Sequence, residues 1–191
     1  MRANLLTALA AFLLLTAACY AQSASTGSPA AEPTAAGLWL ARDDETRQPS
    51  GWFLIRDNGG IYSGIIARMF LKPGEDPNEP CSQCRDDRHN HPWLGLEIIR
   101  GMKRDGLHYD GGTILDPRDG NVYSAMMTLS PDGQTLTVRG YFGIALLGRN
   151  QYWTRLPDSA YKELDPSVYP GRNGVGPSST QISRPQNSTR R

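Results

Sequence analysis

Four short turns set the pattern of this chain: RDNGG (Arg56 to Gly60), KRDG (Lys103 to Gly106), DPRDG (Asp116 to Gly120) and SPDG (Ser130 to Gly133). Each separates two short apolar runs. Asp and Asn before Gly supply the positive backbone dihedrals that tight hairpins need. The runs between them therefore read as strands joined in a meander.

Strands are predicted near 37–43, 51–56, 60–70, 93–103, 106–115, 121–129, 134–141 and 146–156. Alternation supports several of them: Leu94, Leu96 and Ile98 share one face, Leu136 and Val138 another, and Tyr123, Ala125, Met127 and Leu129 a third. No window before Ser159 has a comparable helical period, and SAYKEL beyond it is long enough for a turn or two. Eight antiparallel strands in sequence predict an all-β, up-and-down barrel, which removes exposed edges by closing on itself. A two-sheet sandwich is the structural alternative. Gly64, Gly95, Gly111, Gly112, Gly140, Gly143 and Gly148 fall inside or beside these runs, where glycine marks bulges and sharp bends. A barrel of eight strands is either filled by side chains or holds one small ligand.

The ends of the chain differ from the middle. MRANLLTALAAFLLLTAACYAQSAST has Arg2, an apolar stretch from Leu5 to Ala18 and then small polar residues, the order of a secretory signal peptide. That stretch is shorter than the roughly 20 residues that cross a bilayer, so no transmembrane span is expected. Cleavage after Ala21 fits a small-x-small rule, while LTAAC also resembles a loose lipoprotein box that would make Cys19 a lipid anchor. Residues 22–36, rich in Ala, Ser, Thr and Pro, read as a flexible linker, and 158–191 as a disordered tail. Residues 37–157 remain as one domain of about 120 residues. The implied location is periplasmic or secreted. A net charge of +1 offers no basic footprint for nucleic acid.

Gly37-Leu38-Trp39 on the first strand resembles the GxW signature of lipocalin-type barrels, in which an Arg from the last strand lies across the Trp. Trp153-Thr154-Arg155 supplies the candidate Arg155. A guanidinium over an indole gains roughly 0.5–2 kcal/mol. A longer set is more specific: GGTILDPRDGNVY (111–123), LTVRGYFGIALLGRNQYWTR (136–155), and CSQC followed by PWLGL. Together they resemble the domain of unknown function 2147, a family of small secreted bacterial proteins. That resemblance implies a lipocalin-like antiparallel barrel without established enzymatic activity, and it supplies no substrate.

Candidate chemistry centres on CSQCRDDRHNHPW. In an oxidising compartment Cys81 and Cys84 are expected as a disulfide, which at this spacing adds only about 2 kcal/mol. Zinc is the alternative, because His89 and His91 point to one side of an extended segment and could join two thiolates. A redox role for the pair would want the first cysteine at a helix N-terminus, a context that Pro80 and its flanks do not provide. Arg139 is either a ligand-binding fork beside Tyr62, Tyr123 or Tyr141, or an ion-pair partner of Glu97 or Asp110. His108 with Asp110 would be a general base only beside a nucleophile, and no GxSxG-type motif accompanies it. Asp116 and Asp119 have calcium ligand chemistry but also suit a turn.

These readings converge on an exported, lipocalin-like domain that binds a small apolar or amphipathic molecule. Tyr62, Trp93, Tyr123, Arg139 and Tyr141 are its candidate ligand contacts, and no cofactor or catalytic activity is implied. A non-catalytic envelope interaction module is the second reading. The third is a thiol oxidoreductase or a zinc-dependent activity at Cys81, Cys84, His89 and His91.

Overall fold

Eight antiparallel strands follow one another around a closed barrel in sequence order. They are β1 (Gly37–Arg42), β2 (Pro49–Asp57), β3 (Ile61–Met69), β4 (Glu97–Asp105), β5 (His108–Asp116), β6 (Asn121–Leu129), β7 (Thr135–Tyr141) and β8 (Arg149–Arg155). The structure is a computed structural model and describes residues 32–169. The expected signal peptide, Cys19, most of the linker and the tail after Tyr169 lie outside the described residues.

The four turn motifs fall at the β2–β3, β4–β5, β5–β6 and β6–β7 connections. Where a strand must bend, the register shifts, as between Tyr109 and Gly112. A Cβ at Gly112 would stand 2.5 Å from Arg100 O, so only glycine lets β4 and β5 come this close. Gly95, Gly143 and Gly148 instead lie in connections outside the strands.

The inner face is filled. Trp39, Ile55, Tyr62, Ile99, Met102, Tyr109, Met127, Leu136, Val138 and Trp153 are all essentially inaccessible and belong to one cluster. Phe53 stacks on Trp153 with ring centroids 4.3 Å apart, and Tyr62 meets Tyr109 edge to face at 4.8 Å. Each such side chain contributes roughly 1.5–3 kcal/mol by leaving water.

One end of the barrel is closed by the chain that leads into β1. Ala35 N–H donates to Tyr109 Oη (2.8 Å), Trp39 Nε1 donates to Ala35 O (2.9 Å), and Thr34 and Tyr62 share a hydrogen bond of 3.0 Å. Thr34 to Ala36, expected as part of a flexible linker, are instead packed: Ala35 is a core residue whose N–H serves the Tyr109 hydroxyl, and the Thr34 side chain serves that of Tyr62.

Two further expectations are corrected. The fourth strand begins at Glu97, not 93, and Leu94 does not share a face with Leu96 and Ile98: it packs outside the barrel while they pack inside. Residues 158–169 are ordered, with a 3-10 turn over Asp158–Glu163. Ala160, Leu164 and Val168 cover Leu38, Trp52, Leu54, Ile65 and Ala67, which face outward from β1 to β3. An outward apolar stripe needs a cover, and the segment after β8 provides it.

Candidate functional site

The open end of the barrel, opposite the plug of residues 32–36, is where the chain concentrates unusual features. The β3–β4 connection, residues 70–96, crosses part of it. Pro80 pairs with Pro92, Cys81 N–H donates to His91 O (2.8 Å), and Trp93 N–H donates to Glu79 O (2.9 Å), so the loop closes on itself. Cys81 and Cys84 form a disulfide, with Cα atoms 5.4 Å apart, and both sulfurs are buried in the barrel core. Cys81 Sγ lies 3.6 Å from Pro117 O. The turn at Gly120 comes against Gln83 O so closely that a Cβ there would collide with it.

Charge fixes the same loop. Arg88, only 4% exposed, donates to the Asp86 carboxylate and through Nη1 to Glu97 O (3.0 Å). The Arg88 guanidinium holds the Asp86 carboxyl at about 2, well under the usual carboxylate range. Arg100 grips Asp87 with two bonds of 2.8 Å and Glu97 with one of 2.7 Å.

This arrangement bears on the cysteine–histidine alternative. The sulfurs are bonded to each other and so are not thiolate ligands. His89 Nδ1 is engaged with Cys84 O at 2.7 Å, His91 is exposed, and among the described residues no three His, Cys, Asp or Glu side chains cluster as a metal site would need. The aspartates of DPRDG are turn caps: Asp116 accepts from Arg118 N–H (3.0 Å) and Asp119 from Asn121 N–H (2.8 Å). His108 and Asp110 are exposed on the outside of β5. His108 meets Thr128 at 3.3 Å.

The proposed ligand contacts do not converge on one mouth. Tyr62 lies at the closed end, and burial pushes its phenol pKa up. Trp93 packs under the loop, with an indole N–H that is buried and has no hydrogen-bond partner among the described residues. Arg139 and Tyr141 alternate with the inward Leu136, Val138 and Gly140 and so face outward. Arg139 pairs with neither Glu97 nor Asp110. It donates to Ala145 O (2.7 Å), Leu146 O (3.0 Å) and Asn150 Oδ1 (2.6 Å), all within the β7–β8 hairpin. Tyr123 stands at the open end on the inward face of Ala125 and Met127. Its hydroxyl reaches Asp119 (3.3 Å), and its ring meets Phe142 edge to face at 5.1 Å. At the closed end, the Arg155 guanidinium lies over Trp39, 4.2 Å from the ring centre, beside Gly37 and Trp153.

Absent from the expected contacts is the β7–β8 connection itself, Phe142-Gly-Ile-Ala-Leu-Leu147. Leu146 is 82% exposed, Leu147 77% and Phe142 68%, with Ile144 and the outward Tyr152 also well exposed. Beside it, Arg149 and Gln151 share the inward face of Trp153 yet are exposed, so the barrel is uncovered on this side. The sequence signal was available: five apolar residues in a connection that hairpin chemistry would make polar. A separate groove of about 270 Å³ lies outside the barrel between Ala67, Met69, Leu94 and Leu164, and the Arg68–Glu163 ion pair (2.6 Å) is part of its lining.

The family described as uncharacterized protein conserved in bacteria (DUF2147) matches residues 37–155. Among solved structures the chain is similar to protein HP1028 from the human pathogen Helicobacter pylori, described as belonging to the lipocalin family. The two share 15% identity with a TM-score of 0.59, covering 70% of this chain and 91% of that one. At this identity the likeness concerns the fold. No curated protein matches.

Proposed function

We infer that this chain, which belongs to the DUF2147 family of uncharacterized bacterial proteins, is an exported, non-catalytic binding module that takes apolar or amphipathic groups at the open rim of its lipocalin-like barrel. The observation that carries this reading is a contrast between two surfaces. The inner face is filled by its own side chains, while the rim displays Phe142, Ile144, Leu146 and Leu147 to solvent. An exposed apolar cluster of this kind marks a binding surface more often than a structural element. Export is supported by the signal-peptide pattern at the N-terminus and by a disulfide of the sort that persists in oxidising compartments.

The test is a fluorescence titration with the amphipathic dye 1-anilinonaphthalene-8-sulfonate. Leu146→Ser with Leu147→Ser should weaken dye binding at least about tenfold, the two side chains being largely exposed and replaceable without disturbing the fold. Met127→Leu, in the barrel interior, should leave it unchanged. Dye binding insensitive to the loop but altered by the interior substitution would overturn the reading.

A further inference from the structure

We propose that the β7–β8 connection docks the protein onto the surface of an anionic phospholipid bilayer, with Phe142, Ile144, Leu146 and Leu147 inserted at the headgroup boundary. This rests on the rim being the working surface, and it names the occupant. Three observations carry it.

The first is shape and polarity. The apolar side chains are displayed on an exposed hairpin connection, not in a groove, which suits a deformable apolar phase better than a peptide or a small molecule. Tyr152, well exposed on the adjoining strand, has the amphipathic ring that settles at a membrane–water boundary.

Backbone satisfaction is the second. Polar backbone groups that enter a lipid phase need internal partners. Here Leu147 N–H donates to Ile144 O (3.3 Å) and Gly148 N–H to Ala145 O (3.1 Å). Arg139 covers the Ala145 and Leu146 carbonyls with its guanidinium. An ordinary solvated loop has no need of such a clamp, because water serves its carbonyls.

The third is charge. Between Asp132 and Asp158 the chain contains no Asp or Glu, while Arg139 and Arg149 flank the tip. The nearest acids, Asp116 and Asp119, stand on the neighbouring turn, where each caps its own backbone, so the basic collar is local to the β7–β8 hairpin. An apolar tip with a cationic collar is complementary to a negatively charged headgroup layer, which contributes about 1 kcal/mol per basic residue near the surface.

The experiment is vesicle flotation of the full chain, alongside Leu146→Ser/Leu147→Ser and Arg149→Gln. Vesicles are phosphatidylcholine alone, or phosphatidylcholine with phosphatidylglycerol at about three to one. The parent protein should float with the anionic vesicles and detach as salt is raised. The double substitution should weaken flotation at least about tenfold, and Arg149→Gln about fivefold on anionic vesicles only. Amides from Phe142 to Gly148 should exchange more slowly with vesicles present. Because the N-terminal segment is common to all variants, membrane binding through that segment would be equal in each, and equal binding overturns the proposal. So does a dimer, seen by sedimentation, that the double substitution dissolves while vesicles are ignored. Loop-dependent dye binding without vesicle binding would refute the bilayer alone and leave the rim reading standing. Loss of neither would refute both.

Discussion

Arg155 holds three parts of the chain together with one guanidinium. It donates to Gly133 O (2.5 Å), Ala36 O (2.9 Å) and Thr34 O (2.5 Å) while lying on the Trp39 indole. It also sits on the β1–β8 seam, where the register is only Trp39 with Arg155 and Leu40 with Thr154. Burial pulls its pKa below the ordinary arginine value, but the charge remains. Arg155→Met keeps the packing and strands three carbonyls, so urea unfolding should report a loss of about 2–4 kcal/mol. Asp86 is a second test at this scale. Arg88 depresses its folded pKa to about 2, below the unfolded value near 3.9. The stability from this pair is thus fully present above about pH 4 and disappears as pH falls toward 2. Asp86→Asn should remove that pH-dependent difference, measured as parent minus variant in urea midpoints between neutral pH and pH 2. The turn residues were readable from sequence because an Asp-Gly pair specifies its own backbone. The backbone partners of Arg88 (Glu97 O) and of Arg139 (Ala145 O and Leu146 O) were not, since a carbonyl has no sequence signature.

Among the elements, the segment after β8 was the hardest to foresee. Its composition is polar, yet Leu156, Ala160, Leu164 and Val168 recur every fourth residue and cover the outer faces of β1 to β3. The signal lay in the covered strands: Trp52-Phe53-Leu54-Ile55 and Ile65-Ile66-Ala67 are unbroken apolar runs, the pattern of strands buried on both faces. Leu164→Ala should cost about 2–3 kcal/mol in chemical denaturation, a value that an uncovered tail would not give. The disulfide loop behaves differently. Replacing Cys81 and Cys84 by alanine should lower stability by about 2 kcal/mol and leave the barrel's circular dichroism intact. Amides from Cys81 to Trp93 should exchange faster, because the closure they lose is local.

At the scale of the whole described structure, residues 32–169, the chain forms a barrel whose interior is spent on stability. Trp39, Phe53, Tyr62, Met102, Tyr109 and Trp153 fill the space in which a lipocalin-like fold can otherwise hold a ligand. The strand order and closure followed from the hairpin pattern. Which aromatics face in did not, because each bulge, such as those at Gly64 and Gly112, resets the inward and outward alternation. On the proposed reading, binding is displaced to the rim, where β7 and β8 meet. The most direct test is an amide chemical-shift titration of the isotopically labelled protein with a short-chain lysophospholipid below its micelle concentration. The expected changes are confined to Phe142 through Gln151 and to Tyr123. Changes centred on Met127, Leu129, Leu136 and Val138, deep in the barrel, would contradict it.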